Sequence, residues 1–195
     1  YLEKYIEEVD PYIEKVFAEA GCKEGIAWIE MMLDTDQHFY VLEMGYRMSG
    51  DMMARVHREV SDFNSYAWLL DIAMGKKHTV ADLPKPQRKL PERFGCSYIL
   101  WSKEAGTITE WRGFEKIGGK YHLNVETALG IGSKVRKHQY LAVITFDASS
   151  FEEMCDIIQM INDNVTICNE NENIIIYYDD FASLEINNRR IEDGK

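Results

Sequence analysis

Two glutamates and an arginine, Glu30, Glu43 and Arg47, carry the strongest chemical signal in this sequence. Around both glutamates the residues alternate with a period of two and are rich in β-branched and aromatic types, which predicts two strands. The polar residues 34–37 between them predict a hairpin turn. A turn of two or of four residues would leave both carboxylates on one face of the hairpin, whereas three residues would separate them.

A carboxylate pair of this kind points to cation chemistry. Two close carboxylates repel each other, and proteins tolerate this mainly for a shared proton or a cation. Mg²⁺ binds carboxylate oxygens and keeps open positions for phosphate, and the Arg47 guanidinium can hold a phosphate or a carboxylate. The pattern therefore favours a magnesium and phosphate site. The alternative is a half-solvated sheet with ordinary surface acids, in which Arg47 pairs with Asp51.

The segment Glu-Met-Gly-Tyr-Arg at residues 43–47, preceded by FYVL and by a carboxylate on the previous strand, resembles the ATP-grasp signature of biotin carboxylases and carbamoyl-phosphate synthases. In that family a Glu or Gln on one strand and Glu-hydrophobe-Asn-x-Arg on the next hold Mg²⁺ and the ATP phosphates. The resemblance implies ATP and Mg²⁺ as cofactors, with Glu30 and Glu43 as metal and cofactor ligands. It also implies that Arg47 is the catalytic residue and that Met32 lines the adenine pocket.

The sequence departs from the family motif at Gly45, where the family has an Asn that often binds metal. One ligand oxygen is therefore missing, or it comes from water or from the backbone. Matching Glu30 to the family's first carboxylate also requires one extra residue in the turn.

The resemblance implies an α+β fold: the C-terminal half of an ATP-grasp domain, which is an antiparallel sheet with helices, and then a small β-rich domain like the one that closes biotin carboxylase. We expect the ATP-grasp part at residues 1–83 and a proline-rich linker at residues 84–94. The β-rich domain is expected at residues 95–186 and a polar tail at residues 187–195.

Local patterns predict several element boundaries. Asp10 before Pro11 predicts a helix N-cap, and Ser61 or Asp62 predicts the start of a later helix. A capping box within residues 149–153 predicts another helix start. Short strands are predicted at residues 96–101, 107–111, 121–127 and 141–146, and a hairpin at residues 165–178.

Composition excludes some classes of partner. The formal net charge of the 195 residues is -11 and the sequence pI is about 4.9, so nucleic acid and anionic membranes are not expected as partners. No apolar run approaches the roughly 20 residues that span a bilayer. The four cysteines form no CxxC pair and are typical of reduced core residues. We expect a cytoplasmic protein.

The resemblance implies a parent enzyme that is an ATP-dependent carboxylate–amine ligase. Mg²⁺-ATP would convert a carboxylate into an acyl phosphate, which an amine or similar nucleophile attacks. No glycine-rich phosphate loop occurs in this chain, so we expect it to be inactive alone and to lack the N-terminal ATP-grasp portion. The expected partners are that portion, small carboxylate and amine substrates, and a second copy in a homodimer. The alternative is a non-catalytic interaction or regulatory module that retains the ATP-grasp core, which Gly45 favours.

Overall fold

The computed structural model describes residues 2–61, 63–83, 93–118 and 121–178. The chain divides into two compact units, Tyr1–Glu92 and Arg93–Lys195. The predicted linker lies outside the described residues except for its last two positions, and the predicted tail lies outside them entirely. Among the described helices, none combines the length and the apolar character that a membrane crossing needs.

The first unit consists of helices and one two-stranded antiparallel sheet. Its elements are α1 (Leu2–Glu8), α2 (Asp10–Glu19), β1 (Trp28–Leu33), β2 (Phe39–Gly45), α3 (Met53–Ser61), α4 (Ser65–Ala73) and a 3-10 turn (Val80–Asp82). Aromatic rings join the helical segments to the hairpin: the Tyr5 ring lies 6.2 Å from that of Phe39, edge to face, and the Phe17 ring lies 5.7 Å from that of Tyr46. These contacts fix α1 and α2 against β2 and the residue that follows it.

The start of α2 differs from the prediction. The N-cap residue is Val9, and Asp10 is the first helical residue. The Asp10 carboxylate instead accepts a hydrogen bond from the Tyr5 hydroxyl at 3.1 Å, which ties α2 to α1. The predicted N-cap role of Asp10 is therefore wrong, because its side chain is engaged with a neighbouring helix.

The start of α4 also differs from the prediction. Ser61 is the last residue of α3, where its hydroxyl donates to the His57 carbonyl at 2.5 Å, one helical turn earlier. The N-cap of α4 is Asn64, whose Oδ1 accepts the backbone N–H of Ala67 at 3.1 Å. The predicted start at Ser61 is wrong, and Asp62 lies outside the described residues.

The second unit contains two three-stranded sheets, ordered β3-β7-β5 and β6-β4-β8, in which all neighbours are antiparallel. Its elements are β3 (Phe94–Trp101), β4 (Gly106–Arg112), α5 (Phe114–Ile117), β5 (Asn124–Thr127), β6 (Lys134–Val135), β7 (Tyr140–Ala148), α6 (Phe151–Asn164) and β8 (Thr166–Asn169). The strand predicted from residue 121 begins only at Asn124, because the Leu123 N–H donates to the Tyr121 carbonyl in a tight turn.

The hydrophobic core of the second unit centres on β7. Residues 141–146 of this strand, including Thr145, are buried on both faces, as is typical of a central strand that is covered on both sides. Leu100, Ile108, Ile157 and Ile167 join the same buried cluster, so it takes side chains from both sheets and from α6. This unit therefore has a core of its own.

The capping box at the start of α6 is confirmed. The Ser150 Oγ accepts the Glu153 backbone N–H at 3.0 Å, and the Glu153 carboxylate accepts the Ser149 backbone N–H at 2.7 Å. The reciprocal bond therefore reaches one residue further back than in the usual motif.

Candidate functional site

The β1–β2 hairpin brings Glu30 and Glu43 directly opposite each other, as Cα partners in the antiparallel ladder. The register shifts between Glu30 and Met31, because Met31 pairs with Val41 and Leu42 has no partner on β1. Leu42 is therefore the extra residue of a β-bulge on β2. The bulge determines which face of β2 carries Glu43.

The turn of the hairpin has the length that would separate the two carboxylates. The Asp34 N–H donates to the His38 carbonyl at 3.1 Å, which extends the ladder one position beyond Leu33 and leaves a three-residue turn at residues 35–37. Gln37 has φ 64, which is typical of the left-handed residue that ends such a turn. Alone, a turn of this length would separate the two carboxylates onto opposite faces of the hairpin. The bulge at Leu42 compensates for the turn.

An open cleft of about 640 Å³ lies beside the carboxylate pair. Both glutamates and Arg47 line it, together with residues from β1, from the loop after β2 and from α3: Ala27, Trp28, Ile29, Ser49, Gly50, Asp51, Met53 and His57. The three site residues predicted from the motif thus share one cavity within the first unit. Met32 is exposed and is not among the residues that line this cleft, so its predicted role at adenine stays a prediction.

Two contacts hold the Arg47 side chain. One guanidinium nitrogen donates to the Met48 carbonyl at 2.9 Å, and Cζ lies 5.1 Å from the centroid of the Trp28 ring. A cation within about 6 Å of an indole face is attracted by the ring quadrupole. Neither contact is the surface pair with Asp51 that was the alternative, and Asp51 Oδ1 accepts the Met53 backbone N–H at 3.2 Å.

The donor set fits a hard divalent cation. Among the described residues, neither Glu30 nor Glu43 has a hydrogen-bond or ion-pair partner, and both side chains are exposed to the cleft or to solvent. Carboxylates that face each other without a partner offer oxygen ligands to Mg²⁺, which fills its remaining positions with water or phosphate. Gly45 contributes no side-chain ligand, so Glu30 and Glu43 are the residues of the motif that would hold the ion.

A second acidic group lies at the turn of the same hairpin. Ligand atoms of Asp34, Asp36 and His38 lie within 4.8 Å of one another. The backbone N–H of His38 donates to the Asp34 carboxylate at 2.8 Å, and this hydrogen bond lowers the pKa of Asp34. Asp34 therefore has a local structural function in closing the turn.

Sequence reasoning missed Trp28 and His57 as residues of the cleft. Trp28 had a usable signal, because it lies two residues before Glu30 and a strand places such residues on one face. His57 had none, since its position in α3 relative to the hairpin depends on the loop between them.

No family model matches the sequence, and no curated protein matches it. Solved structures do match. The L-amino acid ligase of Bacillus licheniformis shares 24% identity with a TM-score of 0.69, over 84% of this chain and 42% of that chain. The phosphoribosylglycinamide synthetase of Anaerococcus prevotii shares 12% identity with a TM-score of 0.66, over 86% and 43%. The biotin carboxylase domain of the Hydrogenobacter thermophilus 2-oxoglutarate carboxylase, a dimer in complex with MgADP, ADP and bicarbonate, shares 16% identity with a TM-score of 0.58, over 83% and 37%.

These neighbours are ATP-grasp proteins, and the chain has the fold of part of such a protein, as the motif at residues 43–47 implies. The chain spans less than half the length of each of them. At these identities the likeness establishes the fold alone. The specific likeness of the second unit to the closing domain of biotin carboxylase stays a prediction.

Proposed function

We propose that this chain is the C-terminal portion of an ATP-dependent ligase that joins a carboxylate to an amine or a similar nucleophile. The observation that carries the proposal is the direct pairing of Glu30 with Glu43 across the hairpin, in a cleft that Arg47 also lines. The ATP-grasp fold and the ligase and carboxylase names of its neighbours support it. The remainder of the ATP-binding portion would come from sequence upstream of this chain.

The two glutamates and Arg47 have different roles in the proposed reaction. Glu30 and Glu43 would hold Mg²⁺, which when bound offsets the negative charge of the ATP phosphates. Arg47 would hold the transferred phosphoryl group or the substrate carboxylate through its planar guanidinium. Catalysis would then come from positioning and charge stabilisation, as is general for phosphoryl transfer.

The proposed chemistry has two steps. In the first, a carboxylate oxygen of the substrate attacks the γ-phosphorus of ATP, the bond to the β-phosphate oxygen breaks, and ADP leaves with the bonding electrons. In the second, the amine attacks the acyl carbon, phosphate leaves with the electrons of the acyl–oxygen bond, and the amine nitrogen loses a proton. The partners are therefore a small carboxylate and a small amine, and we extend the proposal to a cytoplasmic location and a homodimeric parent.

A second candidate is an interaction or regulatory module that retains the ATP-grasp core without catalysis. The observation that favours it is the close approach of the Trp28 indole to Gly45. A Cβ added there would lie 2.6 Å from Trp28 Nε1, so the Asn of the family motif would fit at this position only if the indole moved. The two candidates differ in whether the site binds nucleotide with metal.

Calorimetry of the full-length parent with a non-hydrolysable ATP analogue distinguishes the two. The ligase proposal predicts binding with Mg²⁺ and much weaker binding with EDTA, and it predicts that Glu30→Gln removes most of this metal dependence. The 195-residue chain alone should bind weakly or not at all. If the parent does not bind the analogue, or binds it equally well with Mg²⁺ and with EDTA, the result would favour the interaction module.

A further inference from the structure

The Trp28 side chain occupies the space beside the carboxylate pair. It lies two residues before Glu30 on β1, and the Cα partner of Trp28 on β2 is Gly45. A Cβ added to Gly45 would lie 2.6 Å from Trp28 Nε1 and 3.1 Å from Cε2. The indole therefore covers Gly45 closely, and position 45 cannot carry a side chain while Trp28 keeps this conformation.

The same indole contacts Arg47. The Arg47 Cζ lies 5.1 Å from the ring centroid, and the Met48 carbonyl accepts a hydrogen bond from the guanidinium. Arg47 is otherwise an exposed, long side chain, which would lose considerable rotamer entropy on binding a ligand. The two contacts restrict the guanidinium before any ligand arrives, so less entropy is lost when it binds.

The Trp28 Nε1 atom is buried and has no hydrogen-bond partner among the described residues. Burying an unpaired N–H lowers stability. Phe or Leu would fill space here without that cost, but Trp gives the strongest cation–π attraction of the aromatic residues. The choice of Trp is therefore better explained by its contact with Arg47 than by packing alone.

We propose that Trp28 is a positioning residue that holds Arg47 beside the Glu30–Glu43 pair and occupies the place of the amide ligand of the ATP-grasp motif. The site would then hold a single divalent cation, with Glu30 and Glu43 as its side-chain ligands. The part of this inference that concerns metal and nucleotide rests on the proposed function. The part that concerns the Trp28–Arg47 contact does not.

The contact is tested in the full-length protein without ligand. Trp28→Leu, Arg47→Gln and the double variant are compared by their melting temperatures. Both single changes remove the same contact. We therefore expect the melting temperature of the double variant to fall by about 2 °C less than the sum of the decreases in the two single variants. Additive losses would overturn the positioning role. Trp101→Leu makes the same substitution at an exposed strand end of the second unit and serves as the control. Its decrease in melting temperature should be additive with that of Arg47→Gln.

The effect on ligand binding is measured with Mn²⁺ and a non-hydrolysable ATP analogue. We expect Trp28→Leu to weaken nucleotide binding about tenfold, as loss of a partly desolvated cation–π contact does, and Trp28→Phe, whose ring attracts a cation less strongly, to restore only part of this affinity. In the Arg47→Gln background Trp28→Leu should have no further effect. An equal loss in both backgrounds would mean that Trp28 acts on the fold and not through Arg47.

The metal count is measured by electron paramagnetic resonance of free Mn²⁺ in the same samples. We expect one bound ion per chain in the wild type and a second in the Trp28→Ala/Gly45→Asn double variant, which reopens the space and supplies the amide. Two ions in the wild type would overturn the single-cation site. A wild type that binds no nucleotide would refute the proposed function and the metal part together, and the melting-temperature cycle would still decide the Trp28–Arg47 contact.

Discussion

The two units of this chain bury their hydrophobic residues to very different extents. In the second unit, β7 is buried on both faces and joins a cluster that includes two sheets and α6. In the first unit the buried hydrophobic side chains of the described residues are Ile13, Ala54 and Val56. Its hairpin leaves Met32, Tyr40 and Leu42 more than half exposed, and these are residues that normally enter a core.

The candidate site therefore lies on the unit with the smaller hydrophobic core among the described residues. An isolated two-stranded hairpin is marginally stable in water and needs further strands or helices to cover it. The chain spans less than half of its structural neighbours, so we propose that the rest of the parent covers the exposed hairpin. The site residues would then become rigid only in the full-length protein.

Matched leucine truncations should give the largest contrast between the units. Leu100 is fully buried in the second unit, and Leu100→Ala should destabilise it by about 2–5 kcal/mol. Leu42 is 55% exposed on the hairpin, and Leu42→Ala should change the stability of this chain by no more than about 0.5 kcal/mol. Chemical denaturation of both variants measures these values.

The same pair of variants sharpens the comparison in the full-length parent. If upstream sequence covers the hairpin, Leu42→Ala should cost clearly more there than in the 195-residue chain, while the cost of Leu100→Ala should stay the same. An unchanged, negligible effect of Leu42→Ala in the parent would contradict the idea that the hairpin is covered.

A smaller effect concerns the packing of α1 on the first unit at alkaline pH. Burial, and secondly the Asp10 carboxylate, raise the pKa of Tyr5 from 10.0 to about 12. Because the folded pKa is the higher one, this stabilisation is complete below pH 10.0 and is lost as the pH rises through about 12. The free energy of unfolding of Tyr5→Phe should therefore fall less than that of the wild type as the pH rises from 10.0 to about 12.

Tyr12 provides the control for this measurement, since it is 70% exposed on α2 and Tyr12→Phe should leave the alkaline profile unchanged. Thermal melts of both variants across the window would show the difference. If the Tyr5→Phe and wild-type profiles coincide, the half-buried hydrogen bond from Tyr5 to Asp10 does not contribute to the pH dependence of stability in this window.

The sequence was sufficient to predict the main features of both units. Period-two alternation predicts the strands that carry Glu30 and Glu43, and the segment at residues 141–146 predicts a short strand. The capping box predicts the start of α6. These predictions succeed because each depends on neighbouring residues alone.

The site geometry could not be predicted in full, because it depends on pairing between strands. The three-residue turn and the bulge at Leu42 shift the register by one position in opposite directions, and the bulge thereby places Glu43 opposite Glu30. The contact of Trp28 with Arg47 likewise requires the closed hairpin. The prediction of a helix start was wrong where the proposed capping side chain has another partner, as Asp10 has in Tyr5.

The central claim, that the Glu30–Glu43 pair holds the catalytic metal, is tested most directly by the turnover of Glu43→Gln in the full-length parent. Glutamine keeps the size of the side chain but removes the charge that offsets Mg²⁺. We expect ATP-dependent ligation to fall by about two orders of magnitude or more. The melting temperature should stay within a few degrees, which corresponds to about 1 kcal/mol. Glu7→Gln on the exposed face of α1 should affect neither quantity. Unchanged turnover in Glu43→Gln would contradict the metal role and leave the interaction module as the better account.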